Sequence, residues 1–250
     1  MEKKLIDKND LKGIWFRRAS PVKLSKAVEK ENLAYLTMEF QTFLESVKLL
    51  LEDDFRVLGS HQNGILNKVR VLNAARKCGL TIPDYVMSNN KDLIIQFIGS
   101  IEDKVIIKAI SDTHTFKRKG NVYTSYTNEV SLKDIEESNF AEFPIFCQRQ
   151  IDKDFEIRSF YLNGNFYSMA IFSQMDQSAL IDFRSSHENK RIRKVPFQLS
   201  KKIEVQLTNL MRKIGLNTGS IDLIHSKCGT TYFLEVNPAG QIGMTSFPCN

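Results

Sequence analysis

The sequence predicts a mixed α/β (α+β) protein, and three observations carry that expectation. Apolar residues recur at three-and-four spacing in segments bounded by helix start and stop signals. Between those segments lie β-branched and aromatic runs of strand length. One Asn-Gly pair, Asn163-Gly164, joins two such runs as a hairpin.

Taken along the chain, Gly13-Ile14-Trp15-Phe16-Arg17-Arg18-Ala19-Ser20-Pro21 reads as a short buried strand entering a basic loop closed by proline. Phe40, Phe43, Leu44, Val47, Leu50 and Leu51 then mark an amphipathic helix packed on a core. One strand and one helix do not complete a doubly wound domain, so this front portion is expected to be part of a larger α/β unit. Asn67 can cap a helix with Val69, Leu72, Ala75 and Cys78 on its apolar face, ended by Gly79 with Pro83 just beyond. Strands are expected from Lys104 to Ala109, from Asn121 to Thr127 and over Ile145-Phe146-Cys147-Gln148, with the basic Thr113 to Gly120 span as a mobile hairpin tip.

Two further strands, Phe155 to Leu162 and Asn165 to Ser173, flank Asn163-Gly164. A two-residue turn there pairs Arg158 with Met169 and Glu156 with Ile171, which sets Glu156, Arg158 and Ser173 on one face. Ser200 caps a helix with Ile203, Leu207, Leu210, Met211 and Ile214 inward, stopped by Gly215. A last hairpin pairs Ser220 to His225 with Thr230 to Val236.

Composition removes several function classes. With 42% hydrophobic and 26% charged residues, 12 Gly and 6 Pro, the chain is neither disordered, collagen-like nor repetitive. Cys78, Cys147, Cys228 and Cys249 are far apart, so no zinc ribbon or disulfide scaffold is readable and a reduced cytoplasm fits best. The charged N-terminus lacks a secretory signal, and the uncharged stretch from Ser159 to Met175 is broken by its hairpin turn, so no membrane segment is expected. A net charge of +6 favours anionic partners. Nucleic acid is the weakest of these, because the basic residues are dispersed apart from Lys190-Arg191-Ile192-Arg193-Lys194 and no reading motif stands out. P-loop, Rossmann and Ser-His-Asp signatures are absent, and the four histidines lack metal-ligand spacing.

Chemistry gathers elsewhere. An even-length loop in the last hairpin, at Cys228-Gly229 or over four residues from Ser226, puts Asp222, Glu235 and Asn237 on one face. Two carboxylates and an amide carbonyl are hard donors suited to magnesium that bridges phosphates. The alternative is an exposed strand aspartate and a simple Asn-Pro turn. Lys108 ends the β-branched run Val105-Ile106-Ile107, where a charge is costly unless an anion meets it or the amine snorkels to solvent. Lys68 lies in a first helical turn and is, on its own, an ordinary surface lysine.

In order, Lys68, Lys108, Gln148, Glu156-Ile157-Arg158, Asp222 and Glu235-x-Asn237 resemble the ATP-grasp superfamily. Trp15-Phe16-Arg17-Arg18, Asn67-Lys68 with Gly79-Leu80-x-x-Pro83, Ile107-Lys108-Ala109-Ile110-Ser111, Ser173-Gln174 with Asp182-Phe183-Arg184, and Phe233-Leu234-Glu235-Val236-Asn237-Pro238-x-Gly240-Gln241 resemble the graspetide maturases. Within these the chain is most similar to the grasp-with-spasm branch, relatives of the microviridin ligases, from about Trp15 onward.

The resemblance implies an ATP-grasp fold: two α+β lobes clasping ATP over residues 63–250 (63–147 and 148–250), preceded by a shortened α/β lobe over 1–62. It implies ATP and Mg2+ as cofactors and a precursor peptide as partner, whose side-chain carboxylates are closed onto Ser/Thr hydroxyls or Lys amines. Lys68 and Lys108 would hold phosphates, and Gln148, Arg149, Gln150 and Ile151 would form the adenine hinge. Asp222, Glu235 and Asn237 would hold magnesium, while Arg158 and Arg184 would meet the acyl phosphate or the peptide carboxylate. The basic Thr113 to Gly120 loop would close over the triphosphate. Three departures accompany the likeness: the front lobe starts in its second half, a final helix after residues 248–250 is missing, and Glu156 stands where the family has Asp. A homodimer completing the lobe is one expectation that follows. The competing readings are a ligase that adds a free amino acid to an acceptor, as ribosomal-protein-modifying and glutathione-type enzymes do, and a non-catalytic module that binds an acidic leader.

Overall fold

The computed structural model describes residues 7–17, 29–59, 66–111, 115–125, 127–138, 143–175, 192–240 and 242–249. In chain order, β1 (Ile14–Trp15), α1 (Lys30–Asp54) and β2 (Val57–Leu58) come first. Next are α2 (Lys68–Lys77), β3 (Tyr85–Ser88), α3 (Lys91–Ser100), β4 (Val105–Lys108), β5 (Thr115–Arg118), β6 (Asn121–Thr124), β7 (Asn128–Val130), α4 (Leu132–Glu137) and β8 (Ile145–Arg149). The last group is β9 (Lys153–Leu162), β10 (Asn165–Phe172), β11 (Arg193–Phe197), α5 (Lys201–Lys213), β12 (Thr218–Ser226), β13 (Thr231–Asn237) and α6 (Ile242–Cys249).

Two antiparallel sheets organise the site. One has four strands in the order β3-β8-β4-β7 and the other five in the order β11-β10-β9-β12-β13. Period two divides the residues of the four-stranded sheet between its faces. Val105 and Cys147 pack under α3 and α4 with Ile94 and Ile135, while Ile106, Lys108 and Gln148 face the other way. Helix α3 starts because Asn90 accepts from the Asp92 and Leu93 amides, and α4 starts on a Ser131/Asp134 capping box.

The five-stranded sheet buries Ile157, Tyr161, Ile221, Leu223, Phe233 and Val236 in one cluster with Val71, Leu72 and Ala75 of α2 and Leu207, Leu210 and Met211 of α5. Both helices begin where expected, with Asn67 accepting from the Arg70 amide and Ser200 from the Ile203 amide. The β9–β10 hairpin also follows expectation: Asn163 and Gly164 have φ of 46° and 94°, and Arg158 pairs with Met169 and Glu156 with Ile171.

Other expectations are corrected. The front strand is two residues long and Trp15 is 44% exposed, so it is not buried. Its β1–β2 pair is held instead by Asn217, whose side chain accepts from the Gly59 amide at 2.8 Å and donates to the Val57 carbonyl at 2.7 Å. Helix α1 runs 25 residues but buries none of them, so its apolar face meets no core. The strand expected from Asn121 to Thr127 ends at Thr124 as β6, with β7 starting beyond it at Asn128, and the supposed hairpin tip contains β5, with the turn at Lys119-Gly120. Helices α3, α4 and α6 and strand β3 were not anticipated. None of the described helices is long and apolar enough to cross a membrane.

Candidate active site

A single cleft between the two sheets collects most of the singled-out residues. Lys68, Lys108, Gln148, Arg149, Gln150, Ile151, Arg158, Asp222 and Glu235 all line it, with Ser111, Ser125, Thr127, Lys153 and Glu156 among their neighbours. Arg184 lies outside the described residues. Asn237 is on the same face of β13 as Glu235 but not on the cleft wall, and its Oδ1 accepts from the Ala239 amide at 3.1 Å.

The first sheet contributes the lysine corner. Lys108 ends β4 on the cleft face, and the Lys68 amine, reaching over from the first turn of α2, donates to the Ala109 carbonyl at 2.5 Å and sits 5.4 Å from the Phe146 ring. The next wall is the β8–β9 connection. Gln148 is 2% exposed, and the Gln150 amide donates to Lys104 at 2.8 Å. The Arg149 guanidinium binds Asp103 at 2.6 and 2.8 Å, a hydrogen bond that raises its already high pKa. Gln150 Oε1 is a buried acceptor with no hydrogen-bond partner among the described residues.

The second sheet supplies the charged floor. Asp222 lies directly opposite Arg158, which donates to it through Nε and Nη2 at 2.7 Å each. Beside this fork, Lys153 pairs with Glu156, Ser173 donates to Glu156 at 2.8 Å and Gln174 donates to the Lys153 carbonyl. Lys153 is 6% exposed and was missed by the sequence reading. Strict alternation would put it on the opposite face from Glu156. A register shift in the β9–β12 ladder, where His225 pairs with Phe155 but Ser226 with Lys153, removes that expectation.

Asp222 faces Glu235 as the sequence predicted, by a different route. The loop is neither two nor four residues: Ser226 and Thr230 bond across Lys227-Cys228-Gly229, with Gly229 at φ 83°. An odd loop alone would place Leu234 opposite Asp222. A second irregularity next to Asp222 shifts the ladder by one residue and brings Glu235 there instead.

The arrangement lines a narrow cleft with cations from both sheets and with three carboxylates, Glu156, Asp222 and Glu235, a geometry for an extended polyanion with a metal ion. Solved structures show the same chain path. Across 94% of this chain, with TM-score 0.82 and 24% identity, it is similar to a Chryseobacterium gregarium RiPP-associated ATP-grasp ligase in complex with ADP and a leader and core peptide, 71% of which is covered. The chain has the ATP-grasp fold. Among further structures with this ATP-grasp architecture are two Microcystis aeruginosa macrocyclases. MdnC, bound with precursor peptide MdnA, matches at 25% identity and TM-score 0.77, over 93% of this chain and 71% of its own. MdnB matches at 25% identity and TM-score 0.74, over 97% and 74%. No protein-family model matches the sequence, and no curated relative does.

Proposed function

We propose that this protein is an ATP-dependent peptide ligase that activates side-chain carboxylates of a ribosomally made precursor and closes them onto Ser/Thr hydroxyls or Lys amines as macrocyclic esters or amides. The observation that carries the reading is the convergence of Lys68, Lys108, Arg158, Asp222 and Glu235 on one cleft of an ATP-grasp fold. The neighbours' complexes with ADP and with leader, core or precursor peptides support it.

The residues fit the proposed groups. The unpartnered Gln150 Oε1 is an acceptor in the wall assigned to adenine, whose amino group is a donor. Asp222 and Glu235 are hard oxygen donors, and magnesium characteristically takes one or two protein carboxylates together with substrate phosphates. No cluster of three His, Cys, Asp or Glu side chains occurs among the described residues, so the phosphates would complete the shell. Asn237 would join only by releasing its bond to Ala239. The cleft encloses about 110 Å3, below the roughly 300–1,000 Å3 typical of small-molecule sites, so a nucleotide would occupy its open mouth as well as its interior.

Mechanistically, the chain must stabilise anionic charge in two half-reactions. A carboxylate is a poor electrophile, and ATP supplies the phosphoryl group that makes it an acyl phosphate. Lys68 and Lys108 hold the triphosphate against its own repulsion, and magnesium, when bound, supplies Lewis-acid charge at the phosphate oxygens. Arg158, fixed by Asp222, offers a planar donor to the acyl phosphate, with Arg184 assigned the same task. The acceptor hydroxyl or amine then attacks the acyl carbon, the C–O bond to phosphate breaks and phosphate leaves. Each ring costs the peptide one water and converts one ATP to ADP.

The test is incubation with Mg-ATP and a candidate precursor, a short peptide rich in Ser/Thr and Asp/Glu. Mass spectrometry should show loss of one water per ring with stoichiometric phosphate release. Unchanged peptide mass with no phosphate overturns the reading, and phosphate release that requires a free amino acid instead of a peptide favours the alternative ligase class.

A further inference from the structure

Away from the cleft, four described lysines have a carboxylate partner: Lys104 with Glu129, Lys133 with Glu137, Lys201 with Glu204 and Lys227 with Asp152. The groove between α2 and α5 is different. It encloses about 510 Å3 and is lined by Asn67, Val69, Arg70, Asn73, Ala74, Lys77, Lys213 and Ile214, three cations with no carboxylate. Arg70, Lys77 and Lys213 are exposed and form no ion pair among the described residues. No acidic residue occurs from Leu66 to Pro83, so α2 presents a purely cationic edge.

We propose that this α2/α5 groove is a docking site for an acidic peptide segment, outside the cleft. Arg70 and Lys77 are separated by two helical turns, roughly 10 Å along α2. That span is too long for one compact anion and matches carboxylates three residues apart on an extended peptide, at about 3.3 Å per residue. Val69, Ala74 and Ile214 provide apolar floor between the charges, and the Asn67 and Asn73 amides offer hydrogen bonds to a peptide backbone. Asn67 lines the groove and the adjacent Lys68 lines the cleft, so the start of α2 is common ground between the docking site and the lysine corner. Identifying that segment as part of the enzyme's own substrate rests on the ligase reading; acidic-peptide binding by the groove does not.

The experiment measures binding without nucleotide. A fluorescein-labelled twelve-residue peptide of repeated Glu-Thr-Thr, which sets a carboxylate at every third residue, is titrated with the full chain by anisotropy, at about 50 and about 200 mM salt. The wild type should bind, more weakly at the higher salt. The variant R70Q/K77Q/K213Q should bind roughly tenfold less tightly with an unchanged melting temperature. Charge reversal, R70E/K77E/K213E, should lose the Glu/Thr peptide and gain a Lys/Thr peptide. Unchanged affinity in the neutral variant, no binding by the wild type, or tighter binding to oligothymidine or phosphatidylglycerol vesicles each overturns the proposal. Failure of the ligase reading would appear separately, as absent water loss from a peptide that still binds.

Discussion

Arg158 and Asp222 illustrate how one residue pair serves both stability and chemistry. Their side chains are 7% and 19% exposed, and both Asp222 oxygens accept from the guanidinium. Removing either partner leaves a largely buried charge, which costs about 3–5 kcal/mol. Arg158→Ala should therefore lower unfolding free energy by about 3 kcal/mol, the lower end because Asp222 keeps some solvent, and abolish ring formation; urea titration checks the first. The double variant R158A/D222A should recover part of that stability, since no charge is left alone. The cysteines make a separate prediction. Burial pushes the Cys147 thiol up to about 11, while hydrogen bonding from Ser226, then Thr230, lowers that of exposed Cys228. Iodoacetamide at neutral pH should label Cys228 well before Cys147 in the folded protein. Because the folded-state thiol of Cys147 keeps its proton to higher pH than the unfolded one, its stabilising contribution is complete below pH 9 and is lost as pH rises toward 11. At this scale the sequence disclosed residues whose charge contradicts an apolar setting, Lys108, Asp222 and Glu235 above all. Lys153 stayed hidden, because the register shift beside it removes the alternation that would have flagged it.

At the scale of elements, the cap of α2 links fold to site. Asn67 satisfies the Arg70 amide at 2.9 Å, and the next residue carries the amine bound to Ala109. Asn67→Ala should cost about 1 kcal/mol, read as a shift in thermal midpoint, and should weaken nucleotide binding by disturbing Lys68; Asn67→Asp should retain both. Elements with local signals were legible: the Asn163-Gly164 hairpin down to its pairing, and both helices begun by Asn67 and Ser200 and ended by glycine. Helix α3 carried equivalent signals, Asn90 before Leu93, Ile94, Phe97 and Ile98, and was overlooked beside the β-branched run that follows it. The last hairpin shows the limit of parity arguments. Its odd loop and its ladder shift cancel, so Asp222 meets Glu235 through two irregularities that no alternation pattern reveals.

The whole molecule sets two antiparallel sheets around a common cleft, with α2 and α5 backing one and α3 and α4 the other. Helix α1 stands apart from both, its Phe43 and Leu50 side chains 58% and 67% exposed. The sequence could not foretell this, because amphipathic spacing announces that a face is to be covered without showing what covers it. The central claim concerns the cleft: cations from the first sheet and carboxylates from the second act on one bound Mg-nucleotide. Calorimetric titration of Mg-ATP into the wild type, Lys108→Met and Asp222→Asn tests it most directly. The account predicts binding by the wild type, roughly 10- to 100-fold weaker binding by Lys108→Met through loss of a charge-assisted contact, and loss of the magnesium dependence in Asp222→Asn. Wild-type binding that both substitutions leave unchanged, or no binding at all, would contradict it.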